Sequence, residues 1–364
     1  MTLQNILQEF QKWAPFAYQE SYDNSGLLVG TPQQTINKAL ITLDITEEII
    51  KEAIEGGFNL IISHHPIIFN GLKSLTGRSM EERVVMSAIK NDIAIIAMHT
   101  NLDNVIHGVN AILAQRIGIK NTRILKPSSD ILKKLSVFVP KNHLSVVRQA
   151  IFNAGAGHIG NYDQCSFGTE GLGTFRGLEN SQPYVGKKGE LHQEEEMKLE
   201  TIFPSHLQAT IIQALLQNHP YEEVAYDIFP LENLNPQIGA GLIGELSEAM
   251  EEEAFFTLLK KNINTSCIKH TAFRNKKIKS IAICGGSGSF LIGKAKSANV
   301  DVFITGDIKY HDFFNADDKM IIADVGHYES EQFTKELIHD FLIEKFPKFA
   351  VQISEHQTNP IKYF

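Results

Sequence analysis

The chain has 364 residues, of which 43% are hydrophobic, and its formal net charge is -8. This composition predicts a soluble, cytoplasmic protein of two domains, because no apolar run reaches the ~18 residues of a membrane span and no signal peptide is evident. The negative charge disfavours nucleic acid as a partner, and three widely spaced cysteines argue against a disulfide framework or a thiolate zinc site.

Short apolar runs in the first third of the chain predict buried strands. These runs are ALITLD (39–44), NLIISHH (59–65) and IAIIAMH (93–99). Helical patterns alternate with them, and Thr46 can cap a helix that carries Glu47 and Glu48 in its first turn. Apolar strands that alternate with helices indicate an α/β layer structure with the sheet covered on both faces.

Two segments in the middle of the chain resemble each other. KLSVFVPKNHL begins at Lys134 and KLETIFPSHL begins at Lys198, and each is typical of a strand followed by a helix. A further extended segment after each helix would complete a doubled strand–helix–strand unit of the ferredoxin-like kind. The glycine-rich segment 168–189 between them predicts a long loop or an irregular hairpin.

The last third of the chain returns to the pattern of the first. Its apolar runs are SIAICGG (280–286), DVFITGD (301–307) and MIIADVGH (320–327). A helix follows in which Phe333, Leu337 and Phe341 recur every fourth residue. We therefore predict one discontinuous α/β core over residues 1–128 and 233–364, interrupted by an inserted domain over residues 129–232.

Residues of metal-ligand types follow these runs. In open α/β sheets, ligands bind beyond the carboxyl ends of the strands, so functional residues are expected there. The residues at these positions are Asp44, His64, His65, His99, Asp103, Asp307, Asp324 and His327. The glycine loop 285–288 is either an anion cradle or a tight turn without a ligand.

The adjacent histidines His64 and His65 raise the question of a shared site. Neighbouring residues of a regular strand point to opposite faces, so the two can share a ligand only where the strand has turned. Pro66 supplies that turn, because it lacks the amide hydrogen that a ladder needs. The alternative is that both histidines merely end a buried strand.

His327 and Glu331 lie four residues apart, which places both on one face of a helix. Together with Asp103 and the histidine pair they form a set of five. A single catalytic zinc commonly takes three protein ligands, so five are too many for one ion. If Glu331 bridges, the set provides three bonds to each of two divalent ions, and nitrogen and oxygen ligands suit zinc, manganese or iron.

Four motifs in this order resemble the Nif-three-like family, also named GTP cyclohydrolase I type 2 homologs. They are SHHP (63–66), HTNLD (99–103), TGDIKYHD (305–312) and GHYESE (326–331). The middle of the chain resembles the P-II-like or CutA-like domain of longer bacterial members, through HPYEEVAYDIF (219–229). The resemblance implies a Nif-three-like layered core, a dinuclear metal site at the five residues above, and a toroidal homohexamer.

We expect a metal-dependent hydrolase, with zinc as the first choice of metal. The family name suggests a nucleotide-like small-molecule substrate, and a cyclic amide would suit the same metals. His99 and His311 are candidates for general base or acid, or else for hydrogen bonding to a ligand carboxylate. The alternative function is a non-catalytic regulatory or scaffold protein whose insert senses a ligand.

Overall fold

A computed structural model of the chain describes residues 1–129 and 131–364. It divides into two compact units, a core unit of residues 1–127 and 236–364 and an insert of residues 128–235. The strands are β1 (Gly26–Val29), β2 (Lys38–Thr42), β3 (Leu60–Ser63), β4 (Ala94–Ala97), β5 (Lys120–Ser128), β6 (Leu132–Pro140), β7 (Phe167–Arg176), β8 (Leu191–Pro204), β9 (Tyr226–Pro230), β10 (Asn235–Met250), β11 (Lys269–His270), β12 (Ile278–Ser287), β13 (Val302–Gly306), β14 (Ile321–Asp324) and β15 (Ala350–Ile353). The helices are α1 (Leu3–Trp13), α2 (Glu47–Glu55), α3 (Met80–Lys90), α4 (Thr100–Asp103), α5 (Val109–Ile117), α6 (Leu144–Asn153), α7 (Gln208–Asn218), α8 (Glu252–Asn262), α9 (Ile292–Ser297), α10 (His327–Glu331) and α11 (Thr334–Lys345).

The first sheet of the core unit contains the strands predicted from the first third of the chain. Its order is β1-β4-β3-β2-β15. The strands β15, β2, β3 and β4 pair in parallel, and β1 is antiparallel to β4. All four residues of both β3 and β4 are buried, as expected for parallel strands covered on both faces. The C-terminal strand β15 completes this sheet, so both ends of the chain contribute to it.

Local signals in the sequence place the helices against this sheet. The Thr46 hydroxyl accepts a hydrogen bond from the backbone amide of Ile49, so the predicted cap of α2 is confirmed. Ile49 and Ala53 then fall on the buried face of α2. They pack in one apolar cluster with Val84 and Ala88 of α3 and with the strands of the sheet.

The second sheet contains the strands predicted from the last third of the chain. Its order is β11-β14-β13-β12-β10-β5, and β12, β13 and β14 pair in parallel. Apolar clusters cover both faces, one with α5 and α8 and the other with α9. The predicted α/β core is therefore confirmed, with two sheets that each contain a parallel set of strands.

The last helix of the core unit, α11, buries a different set of residues from the predicted one. Ile338 and Leu342 of α11 are fully buried, whereas Leu337 and Phe341 are only partly so. The Phe341 ring instead stacks on Trp13 of α1, with centroids 4.2 Å apart. The N-terminal helix supplies this partner, which the periodicity of α11 alone does not indicate.

The insert has the order strand–helix–strand–strand–helix–strand, from β6 to β9 with α6 and α7. Its strands lie in the order β7-β8-β6-β9, and every neighbouring pair is antiparallel. The ferredoxin-like prediction rests on the order of strands and helices along the chain, which is the one found here. Of the long loop and the irregular hairpin predicted for residues 168–189, the structure agrees with the hairpin, because β7 pairs antiparallel with β8 from Phe167 to Arg176.

Among the described residues, no helix combines the length and apolarity that crossing a bilayer requires. All three cysteines are free, as their spacing predicts, and Cys284 alone among them is buried.

Candidate metal centre

The candidate site lies beyond the carboxyl ends of both parallel sets of strands. His64 and His65 follow β3, and His99 follows β4. Asp307 follows β13, and α10 begins with His327 just after β14. Parallel pairing places the ends of neighbouring strands at one edge, which explains why residues distant in the chain meet here.

His64 is fully buried and has a fixed ring orientation. Its Nδ1 lies 2.7 Å from the carbonyl oxygen of Met98, and a carbonyl can only accept, so Nδ1 carries the proton. Its Nε2 therefore presents a lone pair inwards, 3.7 Å from Asp103 Oδ1 and 3.6 Å from Glu331 Oε1.

His65 and His327 are oriented in the same way by carboxylates. His65 Nδ1 lies 2.7 Å from Asp44 Oδ1, and His327 Nδ1 lies 2.7 Å from Asp307 Oδ2. Both Nε2 atoms then face each other at 3.2 Å. Carboxylates that accept from the outer nitrogen of histidine are the usual outer support of a metal-ligating imidazole.

Glu331 lies at the centre of the cluster and is 3% exposed. Its Oε2 lies 3.1 Å from His65 Nε2 and 3.0 Å from His327 Nε2, while its Oε1 faces His64. The two oxygens thus face two different sets of side chains.

The donor set fits a divalent cation. His64 Nε2 and Asp103 Oδ1 are buried and have no hydrogen-bond partner within the described chain, a costly state for polar atoms unless something else binds them. Ligand atoms within 4.8 Å of one another define three groups, one of His64, Asp103 and Glu331, one of His65, His327 and Glu331, and one of His64, His65 and His99. All five predicted ligands are brought together.

Burial and neighbouring charges shift the pKa values of the side chains in the cluster. Burial and the neighbouring Glu331 carboxylate raise the pKa of Asp103 well above its usual value. Burial opposes ionisation of Glu331 too, but the surrounding His64, His327 and His65 hold its pKa well below the usual range. Burial lowers the pKa of the His64 imidazole. The site thus contains a permanent anion and a neutral imidazole, which are the forms that bind metals.

His99 belongs to this cluster through a contact that the sequence does not indicate. Its Nδ1 lies 2.6 Å from Asp23 Oδ1, and its ring meets the rings of His64 and His65 edge-on at 5.2 and 5.4 Å. Asp23 also accepts a hydrogen bond from the backbone amide of Thr100, and this bond holds the carboxylate in its orientation. The residues around Asp23 are typical of an ordinary turn, so the sequence gives no signal for this hydrogen bond.

The glycine loop 285–288, whose first three residues form the end of β12, donates hydrogen bonds beside the cluster through its amides. The Gly285 amide donates to Asn110 Oδ1, and the Gly286 amide donates to Ser330 Oγ. Gly286 has a φ of +61°, and a Cβ there would lie 2.2 Å from Glu331 Oε1. Of the two readings of this loop, the tight turn agrees with these contacts.

His311 is placed differently from the other candidates. It lies in the 3-10 helix Tyr310–Ala316, is exposed, and its ring contacts Tyr310 and Phe314. Among the described residues, no member of the cluster contacts it, and its role in proton transfer stays a prediction.

A cleft of about 370 Å³ opens beside His65. Its walls are mainly apolar and include Ile67, Phe69, Leu72 and Met80. Asp44 and Glu81 also line it, and no lysine or arginine is found among its described lining residues. It can accept a small uncharged ring next to the cluster.

Comparison with known proteins gives full-length similarities. A family model described as Duf34/NIF3 (NGG1p interacting factor 3) matches residues 1–360. A GTP cyclohydrolase 1 type 2 homolog of Bacillus subtilis is 39% identical, over 99% of this chain and 98% of the relative. A homolog of the same name from Staphylococcus epidermidis is 35% identical over 100% of both chains.

Solved structures of similar proteins agree with the fold. The crystal structure of a Bacillus cereus protein related to NIF3 has a TM-score of 0.84 and 37% identity, covering 100% of this chain and 99% of that one. A Staphylococcus aureus protein has a TM-score of 0.79 and 32% identity over the same shares.

Proposed function

Because the chain belongs to the Duf34/NIF3 family, we propose that it is a metal-dependent hydrolase whose five predicted ligands hold two divalent ions. The observation that carries the proposal is the position of Glu331. One of its oxygens faces His64 and the other faces the pair of His65 and His327. This supports two three-ligand positions that share one carboxylate, with Asp103 as the third ligand of the first.

Divalent ions in paired sites act as Lewis acids and lower the pKa of water towards neutrality. We propose zinc as the metal, since catalytic zinc is commonly held by histidine and carboxylate ligands, while manganese or iron would accept the same atoms. Asp44 and Asp307 fix the tautomers of the histidines that they contact.

His99 is the candidate for moving a proton. Asp23 accepts from its Nδ1, so Nε2 is left to accept or donate a proton inside the cluster. A base that is oriented by a carboxylate is the recurring arrangement for general base or acid catalysis.

The substrate that suits the neighbouring cleft is a small neutral ring, either a cyclic amide or a nucleobase. Phe69 lines the cleft together with His65, and the centroid of its ring lies 6.2 Å from that of His99. The lining offers no cationic side chain for a phosphate, and two carboxylates would repel one. These features favour cyclic amides over GTP as the first class to assay.

The experiment is a turnover screen on protein loaded separately with zinc and with manganese. Metal content per chain is measured first, and then dihydrouracil, hydantoin and GTP are offered. We expect hydrolysis of at least one, its loss on chelation, and retained metal but lost turnover in His99→Ala. Unchanged turnover after complete metal removal would refute the proposal, as would no turnover by protein with two ions bound.

The competing function is that of a metal-dependent regulatory protein. One observation favours it: the insert has a cleft of its own, lined by residues between Phe138 and Ala225. Ligand binding at either unit without any turnover in the screen would support this alternative.

We further propose that the chain assembles as a homohexamer. Tyr310 and Phe314 are 73% and 68% exposed, with ring centroids 5.6 Å apart. Exposed aromatic patches of this kind mark interaction surfaces. Light scattering should give six times the chain mass of 40.7 kDa, and Tyr310→Ser with Phe314→Ser should lower it. A monomeric wild-type protein would refute this proposal.

A further inference from the structure

The cleft of the insert lies on the face of its sheet that carries no helix. Leu135, Val137 and Val139 of β6 pack in one cluster with the residues of α6 and α7. Side chains alternate along a strand, so Phe138 points to the opposite face. Phe138 lines a cleft of about 890 Å³ there, which the segments 177–184 and 221–225 also border.

The floor of the cleft contains a carboxylate without a cationic partner. Glu196 of β8 is 8% exposed, and its Oε1 accepts a hydrogen bond of 2.8 Å from the Tyr221 hydroxyl. Within the described chain, no lysine, arginine or histidine forms an ion pair with it. Two basic residues, Arg176 and Lys198, also line the cleft. Lys198 pairs with Glu200 at 3.2 Å, and His192 Nε2 lies 2.9 Å from Glu194 Oε2.

A glycine on the neighbouring strand makes room for this carboxylate. A Cβ at Gly173 of β7 would lie 2.1 Å from Glu196 Oε2. A Cβ at Gly171, which pairs with Glu196, would meet nothing within 4 Å, so open space lies beside the acid. The glycines of β7 thus keep the floor of the cleft open.

Aromatic rings form the walls. The Tyr221 ring lies 6.1 Å from that of Phe175 and 6.3 Å from that of Tyr184, measured between centroids. The Tyr184 hydroxyl lies 2.9 Å from His143 Nε2, which anchors a ring that is 51% exposed. The exposed acids Glu222 and Glu223 are also part of the lining. Aromatic faces around an acid attract cations, and acids nearby raise the local cation concentration.

We propose that this cleft is a second binding site, for a small organic cation such as an amine or guanidine carried on an apolar or aromatic body. The cationic group pairs with Glu196, because a buried carboxylate is costly until a cation compensates it. The body lies between the rings of Tyr184, Phe175 and Tyr221. The volume of the cleft is that of an ordinary small-molecule site.

The test is calorimetric titration of the metal-loaded full chain with tyramine, agmatine and choline. The anion 3-(4-hydroxyphenyl)propionate, which has the ring of tyramine but the opposite charge, is the ligand control. Glu196→Gln removes the charge and keeps the shape. Glu195→Gln is its matched control, because Glu195 lies next in β8, points to the other face and is exposed.

We expect at least one cation to saturate with a Kd below about 1 mM. Glu196→Gln should weaken binding at least about tenfold, as for loss of a hydrogen-bonded charge, and Glu195→Gln should leave it unchanged. Tyr184→Ala, at an exposed position that does not threaten folding, should weaken binding by about 2- to 30-fold. Titration of the metal-stripped chain should give the same Kd, which separates this site from the metal centre.

Three results would overturn the proposal. They are no saturation by any of the cations up to about 10 mM, equal binding to Glu196→Gln and Glu195→Gln, or equal binding of the anion and tyramine. If circular dichroism shows that Glu196→Gln is unfolded, Tyr184→Ala decides, and unchanged affinity in that variant counts against the site.

Discussion

Glu331 Oε2 lies 3.1 Å from His65 Nε2, although 266 positions separate the two residues in the chain. His65 follows β3 of the first sheet, and Glu331 ends the short helix α10 that follows β14 of the second sheet. The contact therefore exists only when the first and last thirds of the chain have packed into one core unit. Metal binding should therefore depend on the folding of that unit as well as on the side chains that bind the metal.

Glu331→Gln should abolish binding of at least one ion per chain. The substitution keeps the shape of the side chain but removes the charge that both groups of ligands share. It also removes the carboxylate charge that the imidazoles of His65 and His327 share, so that each keeps only its outer partner, Asp44 or Asp307. Elemental analysis of purified protein, normalised per chain, measures the loss.

Glu336→Gln is the control for Glu331→Gln. Glu336 follows closely in the chain and is an exposed residue that pairs with Arg116. Its substitution should leave metal content unchanged, because surface ion pairs contribute little and it touches no ligand. Full metal content in Glu331→Gln would contradict its place as the shared ligand.

Gly286→Ala should weaken metal binding without any change of ligand. A Cβ at this position would lie 2.2 Å from Glu331 Oε1, and its φ of +61° disfavours side chains. The carboxylate or the loop must shift, and the backbone alone costs about 1 to 2 kcal/mol. Gly293→Ala in α9 is the control, since a Cβ there meets nothing within 4 Å and alanine favours helices. Equal metal affinity in the two variants would contradict the tight turn.

The sequence predicted that the five candidate ligands would lie together, because they follow the ends of apolar strands. His64, His65 and Asp103 follow parallel strands of the first sheet, and parallel strands end at one edge whatever the details of packing. The four-residue spacing of His327 and Glu331 is equally local. Such features can be recognised in a sequence because they depend only on the spacing between residues and on their position after an apolar strand.

Contacts that depend on loops could not be predicted. The bond between Asp23 and His99 joins residues 76 positions apart and is set by a turn before β1. The regular pairing of β7 could not be predicted either, because glycine disfavours strands, yet ten residues of pairing with β8 hold it in place. In both cases tertiary structure overrides the local signal.

Asp44→Ala should lower metal affinity about 10- to 100-fold while the five ligands remain. The Asp44 carboxylate accepts from His65 Nδ1 at 2.7 Å and so fixes which nitrogen faces the cluster. Asp340→Ala is a matched control, because Asp340 accepts from the Nδ1 of surface residue His339 at 3.1 Å. Competition with a chromogenic chelator measures both affinities. An unchanged affinity in Asp44→Ala would show that the tautomer of His65 needs no such support.

Metal uptake should release protons, and rising pH should destabilise the metal-free protein. Burial lowers the pKa values of His65 and His327, but the hydrogen bonds and charges of their carboxylate partners outweigh it and raise them to about 10 and about 9. In the metal-free protein both imidazoles are therefore protonated near neutral pH, and an ion must displace those protons. Calorimetry in two buffers with different ionisation enthalpies should give up to about two protons per chain.

The same pKa values fix the sign of the stability change. A pKa raised by folding means that the folded chain binds more protons than the unfolded chain between the ordinary histidine value of about 6.5 and the raised values. The stabilisation is complete below that window and is lost as pH rises through about 9 and about 10. The melting temperature of metal-free protein should thus fall across this window, while metal-loaded protein should not follow the same decline, because bound ions replace the protons. Parallel curves for the two forms, or no proton release, would show that these histidines do not titrate as ligands of the ions.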